Sequence, residues 1–153
     1  MEIVGAIDVS RLFLSWSRSN GDIVTNLKLQ KLLYYAQAWH MVNFNQRLFS
    51  EGIEAWVFGP VVPSIYRKYK RHEGMPIPYK IKGDEHEPFT GKQLRFLESL
   101  FETYNSFSAT ALVNMTHNED PWKDAYAKGQ NTEIAVSAMN KYYRQVYENA
   151  RRT

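Results

Sequence analysis

The sequence predicts an α+β fold that is mainly helical, with about six helices around a buried central helix and a small antiparallel sheet. Several segments carry apolar residues at the spacing of a half-buried helix. Residues 25–43 are apolar on nearly every side, which is typical of a helix enclosed by others. Residues 53–58 form a short β-branched and aromatic run between two glycines, as a strand does. A length of 153 residues suits one domain over residues 1–153.

The first two helices are bounded by capping and turn residues. Asp8 is predicted to be the N-cap of the first helix, which ends at the polar turn 19–22. The second helix opens at Thr25 or Asn26, either of which can cap it, and runs to about Asn43. The apolar face of the first helix consists of Val9, Leu12, Phe13 and Trp16.

Several polar side chains lie on the otherwise apolar second helix. Gln30 and Gln37 are seven residues apart and share one line, so we expect backbone groups of the nearby strand to bind their amides. The alternative is that they contact a partner. Lys28 and Lys31 lie on another side, where we expect them to be exposed and able to meet an acidic partner surface. His40 continues the apolar stripe, which favours a hydrogen-bonded core histidine.

The segment after the central helix changes character. Residues 53–58 are predicted to form a strand, and Gly59-Pro60 a turn. Pro63 suits the first position of a helix that ends near Arg71. Residues 77–81 alternate enough to form a second strand that pairs with the first.

Helical patterns return in the last third of the chain. Thr90 and Gln93 have the spacing of a capping box. Ser108 is predicted to cap the next helix, and Asp120-Pro121 to start another. The last helix is predicted from about residue 132 to about residue 148.

Composition limits the class of function. The chain has no cysteine, so disulfides, thiolate catalysis and Cys-ligated zinc are excluded. No apolar run approaches the roughly 20 residues that span a bilayer. The N-terminus does not resemble a secretory signal, so we expect a cytoplasmic protein that does not act in a membrane. A net charge of +3 is weak for a nucleic-acid binder, which disfavours that partner.

The titratable residues form no recognisable catalytic constellation. The four histidines lack the HExxH spacing of a metal site. His117 with Glu119 and Asp120 could bind a cation, but a helix terminus explains the same residues. No carboxylate pair or nucleophile motif stands out. We therefore predict a protein that is not an enzyme and uses no cofactor or metal.

Three ordered blocks of the chain, LKLQKLLYYAQAW, EAWVFGPVVPSIY and THNEDPW, resemble the pattern of the Panacea family. The resemblance covers almost the whole chain, so the predicted domain is Panacea-like. It implies an antitoxin domain of a toxin–antitoxin system, a family first seen as phage-associated. The residues that carry the resemblance are Gln30, Tyr35, Trp39, Glu54, Trp56, Gly59, Pro60, His117, Pro121 and Trp122.

The resemblance also implies a partner. Family members are encoded beside unrelated toxins and are thought to neutralise them by direct protein binding. Some relatives carry an additional DNA-binding domain, and 153 residues leave no room for one, so autoregulation through such a domain is not expected. The sequence leaves open whether the chain forms a homodimer.

The leading candidate interface surrounds the Gly-Pro turn, because aromatic side chains there adjoin a basic run. The alternative interpretation is that the same rings pack in the core. Two other functions are weighed: a DNA-binding regulator that uses the first two helices as a helix-turn-helix, and a metal-assisted hydrolase around His117. The predicted partner-binding residues are Lys28, Lys31, Trp56, Phe58, Tyr66, Arg67 and Tyr69.

Overall fold

A computed structural model describes residues 1–81 and 83–152. Its strands are β1 (Glu54–Trp56), β2 (Gly59–Val61) and β3 (Thr132–Glu133). A 3₁₀ turn at Lys70–His72 follows the third helix. The α helices within the described residues are α1 (Ala6–Asn20), α2 (Asn26–Phe44), α3 (Pro63–Tyr69), α4 (Gly91–Asn105), α5 (Ala109–His117), α6 (Asp120–Ala127) and α7 (Val136–Arg151). The predicted class, mainly helical α+β with a small antiparallel sheet, is confirmed.

The central helix of the molecule is α2, as predicted. Thr25 caps it by accepting a hydrogen bond from the Lys28 amide. Every residue from Leu29 to Ala38 is buried, because α1, α3, α4, α5, α7 and β2 all pack against α2. A helix-turn-helix protein needs an exposed recognition helix that can enter a DNA groove, and this stretch of α2 has no free face.

The sheet has the strand order β2-β1-β3 and is antiparallel throughout. Trp56 pairs with Gly59, so the hairpin turn is formed by residues 57–58. The prediction of a turn at Gly59-Pro60 is therefore wrong by two residues. Gly59 opens β2 with a φ of 103°, a conformation that disfavours side chains with a Cβ.

The second predicted strand is also wrong. Residues 77–81 do not pair with β1; that place belongs to β3, which the prediction assigned to the last helix. Pro76 and Pro78 lack the amide protons that a ladder needs. The segment instead makes a single bridge from Pro76 to Thr25, with the Ile77 amide donating to Val24 O at 2.9 Å.

Most helix starts agree with the prediction. Thr90 and Gln93 form the capping box of α4, and Ser108 caps α5. Asp8 is not the N-cap of α1, which begins at Ala6; its carboxylate instead accepts a hydrogen bond from the Gly5 amide at 2.9 Å. Along the described part of the chain, no helix is long and apolar enough to cross a membrane.

Candidate functional site

Two buried glutamines of the central helix hold neighbouring segments of the chain in place. Gln30 accepts a hydrogen bond from the Val62 amide at 2.9 Å and donates to Asn26 Oδ1 at 2.9 Å. Gln37 donates to Phe49 O at 2.6 Å and accepts from the Leu48 amide at 2.8 Å. Gln37 therefore binds only backbone groups, and Gln30 binds one backbone amide and one side-chain oxygen. Backbone partners were predicted, but none of them lies in the strand where they were expected. The groups belong to the chain next to β2 and to the loop after α2.

Lys31 is buried, so the prediction that it is exposed is wrong. None of its surface is accessible, and Nζ donates to Pro60 O at 3.1 Å. Its aliphatic stem lies against Gly59, where an added Cβ would come within 2.5 Å of Lys31 Cε and 2.9 Å of Thr116 Oγ1. Burial lowers the pKa of Lys31 to about 7. A lysine in this position supports the hairpin and cannot reach a partner without rearrangement.

Lys28 is only half-buried, and it holds α4 rather than standing free. Its Nζ donates to the Asn105 carbonyl oxygen at 2.8 Å. Burial lowers the pKa of Lys28, while the nearby Asp22 carboxylate opposes that shift. The prediction of an exposed Lys28 is therefore wrong in part, because one of its donors is already engaged at the end of a helix.

Two stacked rings from α5 and α6 also hold the hairpin, at the end of β1. Trp122 Nε1 donates to Trp56 O at 2.8 Å, and His117 Nε2 donates to Val57 O at 3.0 Å. The His117 ring stacks on Trp122 with 4.1 Å between centroids. Pro121, in the first turn of α6, is buried beside them. The family-motif residues of α5 and α6 thus fix the backbone where β1 enters the turn.

His117 was also the central residue of the alternative hypothesis of a metal-assisted hydrolase. Its Nε2 is engaged by a backbone carbonyl, and its ring is covered on one face by Trp122. Within residues 1–81 and 83–152, no group of three or more His, Cys, Asp or Glu side chains is arranged to hold a metal ion.

His40 is the buried core histidine that was predicted. Its Nδ1 lies 2.7 Å from Gln46 O, and burial lowers its pKa.

A buried phenol–carboxylate network joins the central helix to the last helix. Glu119 Oε1 accepts hydrogen bonds from Tyr35 at 2.6 Å and from Tyr143 at 2.8 Å. The Tyr143 and Tyr34 hydroxyls lie 2.9 Å apart. Burial raises the pKa of Glu119, and the two phenol hydrogen bonds oppose that shift. Sequence analysis missed this role of Glu119 and Tyr143; two adjacent tyrosines on a helix with no exposed face were the signal, since each buried hydroxyl needs a partner.

Two further motif residues lie beside this network. Tyr35 stacks on Tyr104 with 4.2 Å between ring centroids. Trp39 Nε1 donates to the Tyr104 hydroxyl at 2.7 Å. These contacts fix α4 against α2, so Tyr35 and Trp39 serve the packing of the domain.

An apolar groove opens beside the hairpin turn, and we call it the hairpin groove. It has a cavity volume of about 380 Å³. Val57 and Phe58 at its rim are 53% and 62% exposed. Trp56 and Tyr66 meet edge to face in its wall, with 4.9 Å between centroids. It is lined by Asn26, Leu27, Gln30, Trp56, Val57, Phe58, Val61, Tyr66, Lys70, Glu73 and Gly74.

The structure brings three of the predicted contact residues together on this groove: Trp56, Phe58 and Tyr66. Arg67 follows Tyr66 on the exposed side of α3. Tyr69 is buried and faces a different recess. The motif residue Glu54 accepts a hydrogen bond from Trp56 Nε1 at 2.9 Å, which sets the tilt of that indole in the groove wall.

Comparisons with known proteins give a consistent result. Residues 29–123, more than half of the chain, match the family model described as "Antitoxin SocA-like, Panacea domain". The chain is 31% identical over 143 residues to Antitoxin SocA from Caulobacter vibrioides (strain NA1000 / CB15N), which covers 87% of this chain and 76% of that protein. No solved structure matches the chain.

Proposed function

Because the chain belongs to the family of SocA-like antitoxins with a Panacea domain, we propose that it neutralises a protein toxin by binding it directly. The complex is a stable surface contact, formed in the cytoplasm, and involves no chemical step. The observation that carries the proposal is the hairpin groove, an apolar recess whose rim residues are exposed while their backbone is fixed from two sides.

A docking surface requires exposed apolar side chains on a backbone that is held in place. Phe58 and Val57 are exposed, yet the Val57 carbonyl is held by His117. Lys31 holds the carbonyl of Pro60 in β2, and Gln30 holds the amide of Val62 just after β2. Binding therefore costs little ordering of the backbone, which favours affinity. Aromatic side chains of this type supply a large share of the energy in protein interfaces.

The charges around the groove indicate the chemistry of the partner. Lys70 lines the groove, and Arg67 is exposed next to Tyr66 of the groove wall. Glu73 is the acidic residue in the lining. We propose that the toxin presents a segment with one bulky apolar side chain that enters the groove and acidic side chains that face Arg67 and Lys70.

The experiment uses Phe58→Asp with the toxin encoded beside this chain. We expect the affinity for the toxin, measured by calorimetry, to fall at least about 30-fold, since losing a central aromatic anchor costs about 2 kcal/mol. Growth rescue by co-expression of the two proteins should fail to the same extent. Phe58 lies in a turn and is exposed, so the thermal unfolding midpoint should stay close to that of the wild type.

The matched control is Val146→Asp, which adds the same charge at an apolar residue of α7 that is 39% exposed. We expect this variant to bind and rescue as the wild type does. Wild-type binding by Phe58→Asp would disprove the docking site but leave the antitoxin function standing. A neighbour that is harmless alone, or a toxicity that persists despite a measured complex, would disprove the function itself.

A further inference from the structure

A second recess lies on the other side of α3 from the hairpin groove, and we call it the basic recess. It has a cavity volume of about 320 Å³. Four cationic side chains line it, Arg11, Lys68, Arg71 and Lys80, together with the rings of Tyr69 and Tyr79. Among the described residues that line it, none is acidic. The cations come from α1, α3, the following 3₁₀ turn and the segment after Pro78, so the fold and not one run of sequence assembles them.

The positive charge is close to the two tyrosine hydroxyls. Burial raises the pKa of Tyr69, and the Arg11 guanidinium opposes that shift. Burial also raises the pKa of Tyr79, whose hydroxyl donates to Glu85 Oε1 at 2.9 Å; this carboxylate adds to the shift and Arg11 opposes it. Arg18 Nη1 donates to Tyr79 O at 2.6 Å, which ties the segment after Pro78 to α1. Arg11 therefore lies near both phenols. The hydrogen bond from Arg18 fixes the wall of the recess that Tyr79 forms.

Arg11 has a second environment. It also lines a neighbouring recess with Asp8, Asp84, Glu85 and Glu87. These carboxylates reduce the positive potential on that side of the guanidinium. The residues Lys68, Arg71 and Lys80 do not line the acidic recess, so they are the cations on which a bound anion depends most.

We propose that the basic recess is a binding site for a small phosphate-bearing ligand with at least two negative charges, of the size of a diphosphate group. Like charges gathered in one recess repel each other, and a multivalent anion relieves that repulsion. Arg71 and Arg11 offer planar donor pairs that match phosphate oxygens, and the lysines add point charges. A phosphate-bearing strand of nucleic acid would instead follow a long basic track, and this site is a single recess of about 320 Å³.

The test is calorimetric titration of the purified chain with sodium pyrophosphate at low ionic strength. We compare the wild type with the double variant Lys68→Gln/Arg71→Gln. The matched control is Lys92→Gln/Arg95→Gln, which removes the same two charge types from exposed positions of α4, outside the recess.

We expect the wild type and the α4 control to bind one pyrophosphate with similar affinity. Lys68→Gln/Arg71→Gln should bind at least about tenfold more weakly, because two charge-assisted contacts are lost. Pyrophosphate should also raise the unfolding midpoint of the wild type and of the control more than that of the double variant. If the double variant is poorly folded by circular dichroism, Lys80→Gln, also at an exposed residue, replaces it.

Equal weakening in the recess variant and in the α4 control would overturn the site, since the binding would then reflect net charge alone. Equal affinities in all three proteins would overturn it too, because the recess cations would then contribute nothing. Absence of binding by the wild type would overturn it as well. A single-stranded oligonucleotide that binds the wild type, weakens in the recess variant and is not displaced by pyrophosphate would replace the proposal with a nucleic-acid surface.

Discussion

Lys31 has a charge that its surroundings do not favour. Its ammonium group is fully buried and has one carbonyl acceptor, Pro60 O. Transferring a charged group out of water is costly, so burial favours the neutral amine. The close fit of its stem against Gly59 explains why glycine stands there: any Cβ would collide with the stem. The two residues form one packing unit between α2 and β2.

Lys31 should make the stability of the protein depend on pH. Its pKa is about 7 when folded and 10.5 in the unfolded chain. Between these values the unfolded chain binds the proton and the folded chain does not, so the free energy of unfolding rises with pH. We expect a rise of up to about 1.4 kcal/mol per pH unit between pH 7 and pH 9.

The comparison is with Lys31→Met, which keeps a similar volume without the charge. Urea unfolding at pH 7, 8 and 9 should show a smaller rise in this variant than in the wild type. The range stops at pH 9 because burial raises the pKa of Tyr34 and Tyr143, so their ionisation in the unfolded chain lowers stability at higher pH. Parallel curves for the two proteins would show that Lys31 stays protonated when folded.

At the scale of elements, α7 depends on a few polar contacts for its place on α2. Its buried side chains are Met139 and Tyr143. Tyr143 OH donates to Glu119, at the start of α6, and meets Tyr34 on α2. One phenol therefore joins three helices, and the network is satisfied only when all three are docked.

Removing this hydroxyl should loosen α7. We expect Tyr143→Phe to lower the free energy of unfolding by about 2 kcal/mol, because the buried Tyr34 hydroxyl loses its partner. Urea unfolding followed by circular dichroism measures the effect. Tyr147→Phe makes the same change at a residue of α7 that is 47% exposed, and it should alter stability by less than about 0.5 kcal/mol. Similar losses in both variants would contradict a special role for Tyr143.

At the scale of the whole molecule, the hairpin groove and the basic recess lie on opposite sides of α3 and differ in chemistry. The groove is mostly apolar, with one lysine and one glutamate in its lining, and the recess is cationic. The net charge of the chain is only +3. A toxin complex anchored in the groove should therefore respond to salt in a different way from a complex with DNA.

We expect the affinity for the toxin to fall less than about tenfold when salt is raised from about 50 to 200 mM, since apolar contacts carry most of it. A DNA interface with six to ten phosphate contacts would lose about 10³- to 10⁵-fold over that range. Calorimetry at the two salt concentrations measures the difference. A steep loss for the toxin would contradict an apolar anchor and favour an interface built on charge.

The sequence alone determined the features that depend on local chemistry. The central helix followed from apolar residues on all its sides, and the starts of α2, α4 and α5 followed from Thr25, Thr90 and Ser108. A cap or a stripe acts through its own few neighbours, so it can be recognised without knowing the fold. The three sequence blocks likewise identified the family.

Tertiary structure decided what depends on residues far apart in the chain. Lys31 is buried because its stem lies against Gly59 and its Nζ donates to Pro60 O. The strand β3 lies beside β1 because Ile134 N reaches Ile53 O at 2.8 Å. The hairpin turn lies at residues 57–58 and not at the predicted Gly59-Pro60. The strand β2 begins at Gly59, where the absence of a side chain leaves space for the Lys31 stem. The docking of distant segments sets burial, register and the shape of a groove, and a local pattern does not contain that information.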